Sequence, residues 1–228
     1  VPTPPPDERS GQVAAPVALL VPVKAFGRAK LRLSGVLDPE ERADLARRMA
    51  AVVLAAAGPL PAHVVCDDDE VASWAASAGA TVLWRPGFGL DQAVADGVAA
   101  LRAEGYRRVV VAHADLPLAR DLRTVAAFAG VTIVPDRRED GTNVICVPAD
   151  AGFTFAYGAG SFRRHAAEAV RLGLGLRVVR RRDLGFDVDL PGDLEEAGRT
   201  GLVPTARTSA AGVHAEHGDG GSAPATAT

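Results

Sequence analysis

Residues 108–118 read RVVVAHADLPL, and this run decides the fold. Its first part, 108–112, shows no polar alternation, so the strand it forms is covered on both faces. Strands of that kind belong to parallel sheets flanked by helices. The run ends on a carboxylate, Asp115, and Pro117 stops its continuation. Residues 17–23, VALLVPV, repeat the pattern near the start of the chain. Outward from these two runs, β-branched segments alternate with alanine-rich ones. The spacing predicts strands over 17–23, 63–66, 81–84, 108–112, 131–134, 143–147 and 177–180, with an extended piece over 186–189. It predicts helices over 39–57, 70–78, 90–103, 120–129, 162–172 and 192–197. The first helix has a well-marked start: Asp38 caps, Pro39 fits the first turn and Glu41 completes a capping box. Such alternation implies an α/β domain, a three-layer sandwich with a mainly parallel sheet and helices on both faces.

Composition bounds the rest. Of the 228 residues, 16–198 suit one domain, which can bury enough surface to need no disulfide. Residues 1–15 are proline-rich, and 199–228 are rich in Gly, Ala, Thr and Ser; both are expected to be disordered tails. His214 and His217 in the second tail are too isolated to count as a metal site. Cys66 and Cys146 lie in apolar runs, which suits small core residues in a reducing, cytoplasmic setting. No run is long enough to span a membrane, and the start lacks the order of a signal peptide. A formal net charge of -3 excludes a broad nucleic-acid surface. The composition says nothing of oligomeric state.

In such sheets ligands gather beyond the carboxyl ends of the strands, so the segments that follow strands are the candidates for a site. After the first strand come Lys24, Arg28, Lys30 and Arg32, a set suited to a polyphosphate and equally to a solvated basic loop. The spacing is not that of a Walker loop. Asp115 ends the 108–112 strand, where a magnesium ion can bridge a carboxylate to a phosphate; a turn cap is the alternative. His113, two residues earlier, reads as a packed or hydrogen-bonded histidine. In 186–189, Asp187 and Asp189 share one side while Val188 faces the core, and two converging carboxylates favour a cation between them. Gly141, Thr142 and Asn143 offer close backbone approach and small polar groups, or a plain surface turn. Gly158, Gly160 and Ser161 precede a helix whose amides can receive an anion, or Ser161 is simply its cap. The glycine loop 85–92, with Gly87, offers a wall for a nucleobase. Trp74 and Trp84 read as packing residues, and the acids of 67–70 as the start of a helix.

In order, VPVKAFGRAKLRLS (21–34), HADLPL (113–118), PDRREDGTNVI (135–145), YGAGSF (157–162) and FDVDLPGDL (186–194) resemble the guanylyltransferases of deazaflavin coenzyme (F-420) biosynthesis. These act on 2-phospho-L-lactate or phosphoenolpyruvate. The resemblance covers about 17–194 and implies the Rossmann-like, glycosyltransferase-A-like nucleotidyltransferase fold, with the usual glycine-rich first loop replaced. It implies GTP and a small phosphorylated acid as partners and magnesium as cofactor, held by Asp115, Asp187 and Asp189. It implies that Thr142, Gly158 and Ser161 hold the acid, and that Lys24 and Lys30, with Arg28 and Gly87 nearby, serve the nucleotide. Asp91 stands where relatives show Asn, so no role is assigned to it. The alternatives are a molybdenum-cofactor or sugar-phosphate nucleotidyltransferase, whose GxGxR-like start is absent here, and a noncatalytic nucleotide-binding domain.

Overall fold

The computed structural model describes residues 16–198; the expectations for 1–15 and for 199–228, including His214 and His217, lie outside the described residues. Seven strands form one sheet: β1 (Val17–Pro22), β2 (Ala62–Cys66), β3 (Thr81–Trp84), β4 (Arg108–Ala112), β5 (Val131–Pro135), β6 (Thr142–Pro148) and β7 (Leu176–Val178). Their order is β3-β2-β1-β4-β6-β5-β7. All neighbours run parallel except β6, which is antiparallel to both β4 and β5. The helices are α1 (Pro39–Ala55), α2 (Asp69–Ser77), α3 (Leu90–Ala103), α4 (Ser161–Arg171), α5 (Arg182–Gly185) and α6 (Pro191–Gly198). No helix among the described residues is long and apolar enough to cross a membrane.

The uninterrupted apolar strands do face cores on both sides. Leu19 and Val21 of β1 join one cluster with Val53 of α1 and Val71 of α2. Ala18 and Leu20 join the other, with Val94 and Val98 of α3. Helix α3 lies so close that a Cβ at Gly97 would stand 2.7 Å from a methyl of Leu20. A third, smaller core joins Leu33 of the first loop, Leu45 and Met49 of α1, and Phe186, Val188 and Leu194. It anchors two ligand-edge segments to one another. The α1 start forms the full capping box, with Asp38 and Glu41 exchanging backbone bonds of 2.8 and 3.0 Å. Cys66 and Cys146 are free and buried.

Two expectations need correction, the helix over 120–129 and the packing of Trp84. The helix expected over 120–129 is a 3-10 stretch, Leu122–Ala127. Arg181 takes the carbonyls of Arg120 and Asp121, which an α-helix would need for its own ladder, and Asp121 is left-handed at φ 39°. The first loop holds two 3-10 turns, Phe26–Arg28 and Leu31–Leu33. The piece over 186–189 lies outside the sheet, extended at Phe186, and the short helix α5 precedes it. Trp74 packs edge-on against Phe26 as a core residue should, whereas Trp84 on edge strand β3 keeps 41% of its surface exposed.

Candidate active site

Strand order reverses between β1 and β4, where chains leave in opposite directions and a crevice opens at the carboxyl ends. A cavity of about 760 Å³ occupies that place. The loop after β1 supplies Lys24, Arg28, Lys30 and Arg32 to its wall; the end of β4 supplies His113 and Asp115; Asp189 closes it from the far side. Phe26 and Leu33, both buried, hold the two 3-10 turns of the loop. Between those turns Lys30 takes a left-handed conformation, φ 53° and ψ 40°, an uncommon state for a residue with a side chain. It brings the ammonium 2.6 Å from Asp115 Oδ2 and 2.9 Å from Asp189 Oδ1. Arg32 lies 3.7 Å from the other Asp189 oxygen. Lys30, expected on a triphosphate, is thus the counter-ion of two aspartates in this structure.

The electrostatics follow from that arrangement. Burial opposes the charge of Lys30, but Asp115 and Asp189 outweigh it and its pKa is raised. Burial likewise opposes the charge of Asp115, but Lys30 and His113 hold its carboxyl below the usual range. Asp187 is relieved less: burial, then the charges of Asp115 and Asp189, outweigh a backbone hydrogen bond and Lys30 and push it up to about 6. One oxygen of Asp115 is buried without a hydrogen-bond partner. An under-compensated carboxylate and an orphaned carboxylate oxygen are what a hard, oxygen-seeking cation satisfies. Among the described residues, no three acidic, histidine or cysteine side chains already stand in a metal-binding cluster, and the Lys30 ammonium sits between Asp115 and Asp189.

The aspartate pair is aimed by a residue the spacing does not single out. Phe186 and Val188 are buried in the third core, which leaves Asp187 and Asp189 on the other side. Asp193 then accepts the N–H groups of Asp189 and Leu190 at 2.9 and 2.8 Å. Arg137 pairs with Asp193 and lies 5.0 Å over the Phe186 ring. The available signal was a proline at the first position of α6 with an acid two residues on, the same device that marks Asp38–Glu41.

From the glycine loop 85–92, Arg85, Phe88, Gly89 and Leu90 line the cavity, but Gly87 does not. Gly87 turns the chain, at φ 81°, so that its successors face inward. Thr142, Gly158 and Ser161 also lie outside the lining of that cavity. They flank an aromatic wall, Gly158 next to Tyr157 in the chain, Ser161 on α4 with His165 and Thr142 bonded to His165; in it His113 lies 5.1 Å from Tyr157 and Tyr157 5.0 Å from His165. Burial lowers the pKa of His113 and raises that of Tyr157. Thr142 and Ser161 are almost wholly buried, and Thr142 Oγ1 meets His165 Nδ1 at 3.0 Å. The amides at the α4 start are not free: Asp140 takes Gly160 N–H with its carboxylate and Phe162 N–H with its carbonyl, each at 3.0 Å. Arg164 folds back on the carbonyls of Ala156, Tyr157 and Ala159, so it holds the loop together. Asp91 also holds it, by accepting Tyr157 N–H at 2.7 Å.

A family model described as "Guanylyl transferase CofC like" matches residues 17–201. A phosphoenolpyruvate guanylyltransferase of Sphaerobacter thermophilus is 37% identical over 186 residues, 78% of this chain and 90% of the relative. One of Thermomonospora curvata is 39% identical over 206 residues, 85% of this chain and 87% of the relative. Among solved structures, a nucleotidyl transferase from Methanothermobacter superposes with a TM-score of 0.59 at 17% identity, covering 81% of this chain and 98% of that one. That likeness shows a nucleotidyltransferase fold.

Proposed function

This chain belongs to the CofC-like guanylyl transferases, and from that premise we propose that it transfers GMP from GTP to phosphoenolpyruvate, releasing pyrophosphate, as a cytoplasmic enzyme of deazaflavin coenzyme biosynthesis. The observation that carries the reading is the cavity at the β1/β4 crevice, where Lys24, Arg28 and Arg32 face the carboxylates Asp115 and Asp189. A polyphosphate needs the first group and its divalent metal the second. The names of the relatives favour phosphoenolpyruvate over 2-phospho-L-lactate as acceptor.

Asp115, Asp187 and Asp189 would hold magnesium; the orphaned oxygen of Asp115 and the under-compensated charge of Asp187 fit that role. When bound, the ion supplies positive charge that draws the two reacting phosphates together and offsets the charge of departing pyrophosphate. The chain's own groups do the rest. Lys24, Arg28 and Arg32 receive the triphosphate, and Phe88 and Arg85 border the base. Thr142, Gly158 and Ser161 hold the acid beside the His113–Tyr157 wall. An oxygen of the acid's phosphate then bonds to the α-phosphorus of GTP, the bond from that phosphorus to the β-bridging oxygen breaks, and pyrophosphate leaves with the electron pair. Lys30 stands between Asp115 and Asp189 and would lend its charge to the transferring phosphate. No covalent intermediate with the protein is needed.

The substitution Asp187→Asn tests the assignment. It keeps the shape and removes a charge, so turnover is expected to fall roughly a hundredfold or more while the fold survives. A fully active Asp187→Asn protein removes Asp187 from the metal site.

A further inference from the structure

Resting on the reading that Thr142 holds the acid, we propose that His165 is a positioning residue that fixes the Thr142 hydroxyl as a hydrogen-bond donor toward that acid. His165, on α4, is fully buried. Its Nε2 lies 2.9 Å from the N–H of Ala156. An amide N–H only donates, so Nε2 carries the lone pair. A neutral imidazole has one ring proton, which therefore sits on Nδ1. Nδ1 is 3.0 Å from Thr142 Oγ1, so the ring donates to the hydroxyl. A hydroxyl that accepts this bond still has its own proton to give.

The opposite tautomer reverses everything. It sets two N–H groups against each other at Ala156, and Nδ1 then draws the Thr142 proton inward, away from any ligand. A carboxylate or phosphate oxygen can only accept, so the first arrangement suits an acid and the second rejects it. The ring has little freedom to choose otherwise. Phe153, Phe155 and Tyr157 surround it at centroid distances of 5.9, 6.2 and 5.0 Å. Burial, then the charge of Arg164, keeps it neutral by lowering its pKa to about 4.

Two measurements on the full chain test this. Nitrogen-15 NMR of labelled histidine reads the tautomer directly, and a proton on Nδ1 with a bare Nε2 is expected for His165. A proton on Nε2 overturns the proposal while leaving the acid-site reading untouched. Steady-state pyrophosphate release with GTP and phosphoenolpyruvate then separates positioning from packing. In His165→Gln the amide reaches the place of Nε2 and nothing occupies the place of Nδ1. The KM for the acid should rise about tenfold, with kcat and the KM for GTP within about twofold. In His165→Asn the amide nitrogen falls where Nδ1 stood, and the acid KM should stay within about threefold of the native value. Equal losses in both variants, or a parallel loss for GTP, assign His165 to packing and overturn the proposal. Thr142→Val should match the His165→Gln defect, and combining the two should add little. An unchanged acid KM in Thr142→Val removes Thr142 from the acid site, and the proposal falls with that reading.

Discussion

Replacing Lys30 by methionine keeps the stem and deletes the ammonium between Asp115 and Asp189. The side chain is only 10% exposed, and its contacts are 2.6 and 2.9 Å. Removing one partner of a buried ion pair costs about 3–5 kcal/mol because the other charge stays behind unpaired. Here the carboxylates keep 23% and 35% of their side-chain exposure. Water relieves part of the penalty, so about 2–3 kcal/mol is the expected loss. For a domain of this size that lowers the midpoint of thermal unfolding by about 4–12 °C. The assay is thermal unfolding near neutral pH, with and without excess magnesium. Once Lys30 is gone, the ion should find the aspartates free and restore more stability to the variant than to the native protein, because it binds the folded state alone. A variant as stable as the native chain without magnesium would refute the idea that these carboxylates need a counter-charge. A loss that magnesium does not reverse would refute their role in holding the ion.

Other consequences follow from buried groups. His165 titrates at about 4 when folded against 6.5 ordinarily, so between those values the unfolded chain binds more protons. Its contribution to stability is complete above about 6.5 and falls by about 3 kcal/mol as pH drops to 4. Asp187, pushed up to about 6, adds a slope of opposite sign to the native chain and to His165→Asn alike, so in urea unfolding it is the stability difference between the two that should shrink by that amount across the window. At Gly97 a methyl group would stand 2.7 and 3.2 Å from two carbons of Leu20, which is fully buried. Gly97→Ala should therefore lose roughly 1–2 kcal/mol in denaturant unfolding despite alanine's better helix propensity, and an unchanged midpoint would mean that Leu20 has room to move.

Much of the architecture was legible because the strands are buried on both faces, so their apolar runs stand out between the helices. The direction of β6 was not, since an apolar run carries no sign of orientation. The turn after β5 sets it: the Asp136 carboxylate accepts the N–H groups of Arg138 and Asp140 at 3.0 Å each and folds β6 back. The missing helix over 120–129 has a distant cause, since Arg181 claims its first carbonyls from about sixty residues away. In the site, the alternation of Phe186 and Val188 with Asp187 and Asp189 was readable from a period of two. Which of four cations would meet the aspartates was not, because it depends on the left-handed turn at Lys30. Nor could spacing reveal that Asp140 already occupies the amides before α4, or that Asp193 aims the aspartate pair. Those are contacts between segments, and local pattern is silent about them.

The most direct measurement of the central claim is pyrophosphate release from GTP and magnesium, with phosphoenolpyruvate and 2-phospho-L-lactate offered separately to the native chain. The account predicts release with phosphoenolpyruvate, in step with consumption of the acid. Silence with both acids, in protein shown to be folded, would contradict it.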